Sequence, residues 1–133
     1  MFIDTSFCID LLREQKRHRP GPAVKKLESL SGVEICASVF VLCELMAGAW
    51  LSVDPARERE RVKVLSGMLT IVYPDYSFAV SYGEMEAELR KTGFPIPTMD
   101  LLIGVSAKIH NLPLITRDAQ HFHRIPGLLL EEY

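Results

Sequence analysis

The chain has 133 residues, of which 48% are hydrophobic and 24% are charged, and its formal net charge at pH 7 is −2. This length suits one domain, residues 1–133, with a single core, and the composition excludes an intrinsically disordered chain. The slightly acidic balance also argues against a non-specific nucleic-acid binder, because such proteins are usually basic.

The sequence carries no signal for a membrane or for export. No apolar run approaches the roughly 20 residues that a membrane helix needs, and Asp4 interrupts the N-terminus, where a signal peptide would carry an apolar core. We therefore expect a cytoplasmic protein without a membrane partner. The three cysteines, Cys8, Cys36 and Cys43, form no CxxC pair, which favours buried, reduced thiols over disulfides or a zinc site.

The chain begins with a short apolar segment that ends in a carboxylate. Residues 1–3 have the composition of a buried strand, and Thr5 or Ser6 suits the N-cap of a helix over residues 7–14. Asp4 would then lie at the carboxyl end of a strand, where open α/β sheets place their ligands. It could act there as a helix cap, or as a desolvated carboxylate that stays ionised by binding a cation.

A second strand at residues 33–37 leads into a nearly apolar helix at residues 39–50, with Ser38 as its N-cap. Glu44 is the one charged residue of that helix. Because an unpaired Glu is rarely buried, we interpret Glu44 as a functional side chain in preference to a hydrogen-bonded residue at the helix edge.

Apolar periodicity and Gly or Pro breaks predict the connecting elements. These are a turn at residues 15–22, helices at residues 23–30, 55–69 and 75–91, and a third strand at residues 70–73.

A helix that is apolar on all sides begins at Pro97 or Thr98 and runs to Ile109, which marks it as buried. Asp100 lies in its first turn. The helix dipole favours a negative charge there by about 0.3–1 kcal/mol, which would be sufficient reason for an exposed Asp. The buried context favours a second role, as a carboxylate of a functional site.

The pattern of a strand followed by a carboxylate occurs again near the C-terminus. A fourth strand at residues 112–115 is followed by Thr116-Arg117-Asp118, and a short turn or helix and a last strand at residues 128–130 complete the chain. We interpret His121 and His123 as solvated surface residues, since no further zinc ligand stands at a suitable spacing.

Strands that alternate with helices predict an α/β fold with a mostly parallel sheet and right-handed crossovers. The carboxyl ends of parallel strands share one edge of the sheet, and helix N-termini meet the same edge. Four carboxylates are therefore expected in one acidic pocket: Asp4, Glu44, Asp100 and Asp118.

Crowded carboxylates raise one another's pKa unless a cation compensates their charge, and all-oxygen ligands suit Mg²⁺ or Mn²⁺. Such ions can clamp the attacking and leaving oxygens of a phosphodiester.

Five segments in a fixed order carry a family resemblance. They are residues 2–6; Ser38 with Glu44 and Leu45; residues 97–103 with Ala107; residues 116–118 with Phe122; and residues 125–128. Together they resemble the PIN-domain family, and more narrowly the VapC-type toxin ribonucleases of bacterial and archaeal toxin–antitoxin pairs. Each motif alone is weak evidence, but five in the same order over nearly the whole chain are specific.

The resemblance implies a three-layer α/β/α domain with a central, mostly parallel sheet, a homodimer, and endoribonuclease activity that depends on Mg²⁺ or Mn²⁺. It implies an RNA substrate and a small antitoxin partner that blocks the acidic site, with operator DNA bound only through the antitoxin complex. The family's acidic positions match Asp4, Glu44, Asp100 and Asp118, and its hydroxyl-bearing helper matches Thr116. Many members carry Asn at the position of Asp118.

Other functions fit the sequence less well. A PIN nuclease of RNA processing without an antitoxin, and an inactive PIN module that binds RNA or a partner, stay open as alternatives. An aspartyl phosphatase would need a second Asp where Ser6 stands, and a phosphotransfer receiver would need its acceptor where Pro74 and Asp75 stand. A nucleotide-binding Rossmann domain would need a Gly-rich loop after the first strand, and none is present.

Overall fold

The computed structural model describes residues 1–133 and contains one five-stranded sheet whose strands are all parallel. The strands are β1 (Phe2–Ile3), β2 (Cys36–Ser38), β3 (Thr70–Val72), β4 (Leu114–Ile115) and β5 (Leu130–Glu131), in the spatial order β3-β2-β1-β4-β5. The helices are α1 (Thr5–Lys16), α2 (Pro22–Ser29), α3 (Val39–Trp50), α4 (Pro55–Ser66), α5 (Tyr76–Lys91) and α6 (Thr98–Ile109), with a 3₁₀ turn at Phe122–Arg124. No helix is both long enough and apolar enough to cross a lipid bilayer.

This architecture confirms the predicted α/β class and the order of the elements, while some boundaries differ. The second strand was expected at residues 33–37 but begins at Cys36, because the Val33 N–H donates to the Leu30 carbonyl and keeps that segment in a turn. The N-cap of α1 is Asp4, not Thr5 or Ser6, because the Asp4 carboxylate accepts a hydrogen bond from the Phe7 N–H.

The cysteines divide into two groups. Cys8 and Cys36 are buried free thiols, as expected, whereas Cys43 is exposed. The expectation for Cys43 was wrong because α3 buries only one face, along Val41, Leu45 and Ala49, and Cys43 lies off that face.

The register of the central strand β1 with its two neighbours determines which residues are level at the carboxyl edge of the sheet. Phe2 is paired with Cys36 of β2 on one side and with Leu114 of β4 on the other. Asp4 therefore lies level with Ser38 and Thr116, and neighbouring strands are about 4.8 Å apart. Side chains from separate strands are thus brought together at the carboxyl edge of the sheet.

Helix α6 approaches the 3₁₀ turn closely at Gly104. A Cβ atom at this position would lie 2.3 Å from the Ile125 Cδ1 atom and 3.3 Å from a ring carbon of Phe122. Both of those side chains are buried. Asp100 lies one helical turn before Gly104 on the same face of α6, so the close packing at Gly104 holds the 3₁₀ turn near Asp100.

We expect the Gly104→Ala substitution to destabilise the protein by roughly 1–3 kcal/mol, because the added methyl group overpacks this contact. Chemical denaturation followed by circular dichroism measures the change. Gly83→Ala is the matched control, since a Cβ atom there meets nothing within 4 Å and helix propensity alone should make it neutral or stabilising. Equal effects of the two substitutions would contradict the packing role of Gly104.

Candidate active site

Asp4 is the most buried carboxylate of the candidate site, with 4% of its surface exposed. Its position follows from β1, whose two residues are completely buried, and from the start of α1 directly after it. The Phe7 N–H donates to Asp4 Oδ1 at 2.8 Å, the Ser6 hydroxyl lies 2.8 Å from the same oxygen, and the Thr116 hydroxyl donates to Oδ2 at 2.6 Å. Three donors from three residues thus hold the carboxylate in one orientation.

Thr116 connects Asp4 to the segment that follows β4. Its completely buried hydroxyl donates to Asp4 and accepts a hydrogen bond from the Asp118 N–H at 3.0 Å. The Arg117 N–H donates to the Ser6 Oγ atom at 3.2 Å. These bonds attach the Thr116–Asp118 segment to the start of α1.

Glu44 reaches the same site from α3. The Thr5 hydroxyl donates to Glu44 Oε2 and so joins the first residue of α1 to the middle of α3. Glu44 is partly buried, and its hydrogen bond with Thr5 offsets part of the cost of burying a charge.

Asp100 lies in the first turn of α6, and its partner is His121, which was expected to be a solvated surface residue. His121 Nδ1 lies 2.7 Å from Asp100 Oδ2, and both side chains are partly buried. The interpretation of His121 was therefore wrong. His123, which was given the same interpretation, is exposed.

The four predicted carboxylates line one cavity of about 160 Å³. Its lining consists of Asp4, Thr5, Ser6, Glu44, Asp100, Ile103, Asp118 and Phe122. Asp118 is the most exposed of the four acids, and Thr116 is completely buried and does not line the cavity. The predicted convergence of the strand-end acids with those of α3 and α6 is therefore present in the fold.

The electrostatics of the cavity are unfavourable to the charge on Asp4. Burial raises the pKa of the Asp4 carboxyl above its ordinary value of 3.8, and the nearby charge of Asp100 raises it further. The hydrogen bonds from Thr116, Phe7 and Ser6 act in the opposite direction but are outweighed. A cation in the cavity would relieve both the desolvation and the repulsion.

The donor set has the chemistry of a hard divalent cation site. Carboxylate and hydroxyl oxygens line the cavity, and Mg²⁺ and Mn²⁺ prefer oxygen ligands. No three His, Cys, Asp or Glu side chains already converge as a finished coordination shell. Since Mg²⁺ commonly retains several waters and takes only one or two carboxylates from the protein, the residues present fit such an ion.

A second, larger concavity adjoins the acidic cavity. A groove of about 680 Å³ runs between α1, α3 and α4, and Glu44 lines both the groove and the acidic cavity. The floor of the groove is apolar, formed by Ile9, Leu12, Leu45 and Val62. Its edge carries four basic side chains, Arg13, Lys16, Arg57 and Arg61, together with the acidic residues Asp54 and Glu58.

A polar cluster around Asp10 also escaped the sequence analysis. Asp10 accepts hydrogen bonds from the Arg117 guanidinium and from the Tyr133 hydroxyl, which lies 3.1 Å away. The Tyr133 ring packs edge-on against Phe7 with 4.7 Å between ring centroids. Burial and the Asp10 carboxylate raise the pKa of Tyr133, so its hydroxyl stays protonated and donates. Through the Arg117 side chain, this cluster attaches the Thr116–Asp118 segment to α1.

The model of the PIN domain matches residues 1–128 of this chain. The chain belongs to the PIN-domain family. Within that family, Ribonuclease VapC2 from Rickettsia felis is 30% identical to this PIN domain over 132 residues, which cover 98% of this chain and 96% of that protein. The tRNA(fMet)-specific endonuclease VapC from Salmonella typhimurium is 28% identical over 131 residues, with the same coverage of 98% and 96%.

Solved structures agree with this assignment of fold. A crystal structure of VapBC2 from Rickettsia felis bound to a DNA fragment from their promoter has a TM-score of 0.89 to this PIN domain at 28% identity. The match covers 99% of this chain and 97% of that chain. A DNA-bound VapBC from Salmonella typhimurium has a TM-score of 0.87 at 27% identity, with 98% and 96% covered. The three-layer arrangement implied by the family resemblance is therefore confirmed.

We expect Asp4→Asn to raise the melting temperature of the metal-free protein by a few degrees at neutral pH. Because the folded-state pKa of Asp4 is raised, the folded protein binds more protons than the unfolded chain between 3.8 and the raised value, and stability falls as pH rises through that window. The Asn side chain carries no charge and so avoids the cost of burying a charged carboxylate. The difference in melting temperature between the variant and wild type should therefore shrink as pH falls below this window. Thermal denaturation in EDTA across this pH range measures it.

Glu84→Gln is the control for that experiment, because Glu84 is an exposed residue of α5 away from the cavity, and such substitutions usually change stability very little. If Asp4→Asn were less stable than wild type at every pH, its hydrogen bonds would outweigh the cost of burying its charge.

Proposed function

We propose that this chain is a metal-dependent endoribonuclease that hydrolyses RNA phosphodiester bonds as the toxin of a VapBC-type toxin–antitoxin pair. The convergence of four carboxylates on one cavity carries the proposal. The relatives named as VapC ribonucleases over nearly the whole chain support the same reaction class. A PIN nuclease of RNA processing without an antitoxin has the same site and is the alternative.

Asp4, Glu44, Asp100 and Asp118 would hold Mg²⁺ or Mn²⁺ in this proposal. The bound ion would supply Lewis acidity, which neutralises charge on the phosphodiester and makes water a better nucleophile. The protein's own contribution is orientation: Thr116 and Ser6 hold Asp4, and Thr5 holds Glu44. Asp118 is less buried than the other three acids, so it has the most freedom to meet substrate or ion.

The groove between α1, α3 and α4 supports the antitoxin as partner. An apolar floor edged with charged side chains suits an amphipathic segment of another protein. Since Glu44 lines both concavities, a segment seated in the groove would reach the acidic cavity and obstruct it. This observation favours a toxin over a processing nuclease that has no protein inhibitor.

The relatives crystallised as VapBC complexes on DNA support an operator interaction through the antitoxin. The chain's own net charge of −2 is consistent with DNA contact that depends on a partner. The homodimer expected from the family resemblance stays a prediction.

Purified wild-type protein should cleave cellular RNA with Mg²⁺ or Mn²⁺ and lose that activity in EDTA. We expect Asp4→Asn, Glu44→Gln and Asp100→Asn each to reduce the rate on the order of 10²–10³-fold, because each removes charge from the preorganised site. Gel analysis of RNA fragments measures the rate, and Glu84→Gln should cleave as wild type does. Metal-independent cleavage, or full activity of Asp4→Asn, would contradict the proposed mechanism.

Filling the groove should weaken antitoxin binding without removing nuclease activity. Gly48 lies in the groove, and a Cβ atom there meets nothing within 4 Å, so the side chain of Gly48→Leu starts in open space and adds volume to the groove. Co-expression with the product of a small reading frame adjacent to the gene, followed by pull-down, measures binding. Gly83→Leu on α5 is the matched control, because its Cβ position is equally open but lies outside the groove. Undiminished binding by Gly48→Leu would place the partner elsewhere.

A further inference from the structure

Asp100 and His121 form a close polar pair at the edge of the acidic cavity. The His121 Nδ1 atom lies 2.7 Å from Asp100 Oδ2, and the exposed fractions of the two side chains are 32% and 29%. An ionised carboxylate only accepts hydrogen bonds, so Nδ1 carries the proton and donates it to Asp100. Asp100 lines the cavity, whereas His121 is not one of the residues that line it.

Two other acids of the cavity, Asp4 and Glu44, are also held by a hydrogen-bond donor. Asp4 is held by the Thr116 hydroxyl, and Glu44 is held by the Thr5 hydroxyl. In each case the donor comes from a different element than the acid. His121 has the corresponding relation to Asp100, because it comes from the segment after β4 while Asp100 belongs to α6.

The packing of the 3₁₀ turn fixes where the His121 ring lies. His121 immediately precedes Phe122, which is 4% exposed and packs against α6 at Gly104. The Arg124 N–H donates to the His121 carbonyl at 3.1 Å. The backbone of His121 is therefore held on the face of α6 that carries Asp100, and only the imidazole ring has to be oriented by the hydrogen bond.

We propose that His121 is a positioning residue for the acidic site: its imidazole occupies Asp100 Oδ2 and holds the carboxylate so that Oδ1 is left for a divalent cation. The inference rests on the proposed metal-dependent function. Ligating carboxylates are commonly oriented by such outer hydrogen bonds, and loss of one typically costs roughly 10–100-fold in metal affinity. His121 does not itself touch the metal or the RNA.

Titration calorimetry with Mn²⁺ alone, in the absence of RNA, tests this assignment. We expect His121→Leu to weaken Mn²⁺ binding by roughly 10–100-fold, because leucine fills the site but donates nothing. His121→Asn should restore most of the affinity, since its amide N–H stands close to the position of Nδ1. His123→Leu is the matched control: it lies two residues further on, is exposed, and should bind as wild type does.

A second measurement separates positioning from a merely structural role. Raising the Mn²⁺ concentration should rescue RNA cleavage by His121→Leu but not by Asp100→Asn, which lacks the ligand itself. Circular dichroism verifies the folding of each variant, and His121→Asn keeps the test valid if the leucine variant unfolds.

The outcomes distinguish a failure of the role assigned to His121 from a failure of the proposed metal-dependent function. If wild type binds no Mn²⁺, or if Asp100→Asn binds it equally well, the proposed metal site itself fails. If wild type binds Mn²⁺ and Asp100→Asn binds it weakly, while His121→Leu equals or exceeds wild type, the metal site stands and the role of His121 is overturned.

Discussion

A carboxylate buried at the end of the central strand must be supplied with hydrogen-bond donors or it destabilises the fold. In this chain the donors to Asp4 come from the first turn of α1 and from Thr116 after β4. The requirement therefore ties together two segments more than a hundred residues apart in sequence. Thr116 in turn orders the backbone of Asp118, which also lines the cavity, so satisfying one buried charge helps to position a second acid. The hydrogen bonds that stabilise the end of the central strand therefore also position the acids of the site.

Much of this could be predicted from the sequence, because it follows from local rules. Short apolar runs define the strands, and parallel strands bring their carboxyl ends to one edge, so Asp4 and Asp118 were expected to meet there. Glu44 was identifiable because it is the one charged residue of an apolar helix, and an unpaired Glu is rarely buried. Asp100 was identifiable because its helix is apolar on all sides, which favoured a functional role over that of an ordinary exposed first-turn acid.

The remainder depends on tertiary contacts that leave no local pattern. His121 is separated from Asp100 by 21 residues, and their contact requires the close approach of the 3₁₀ turn to Gly104. The pairing of Asp10 with Arg117 joins residues 107 positions apart and depends on the pairing of β4 with β1, the strand that leads into α1. The N-cap of α1 was misassigned because Asp4, Thr5 and Ser6 are all residue types that cap helices well, and only the backbone geometry decides among them.

Glu44 lines two concavities at once, so one carboxylate is shared between the groove and the acidic cavity. Whatever changes the position or charge of this carboxylate from the groove also changes it for the cavity. By linkage the effect is reciprocal. If an occupant of the groove lowers the affinity of the cavity for a cation or RNA by some factor, a cation or RNA bound in the cavity lowers the affinity of the groove for that occupant by the same factor. A ligand of the cavity and an occupant of the groove would then oppose each other's binding through this one side chain.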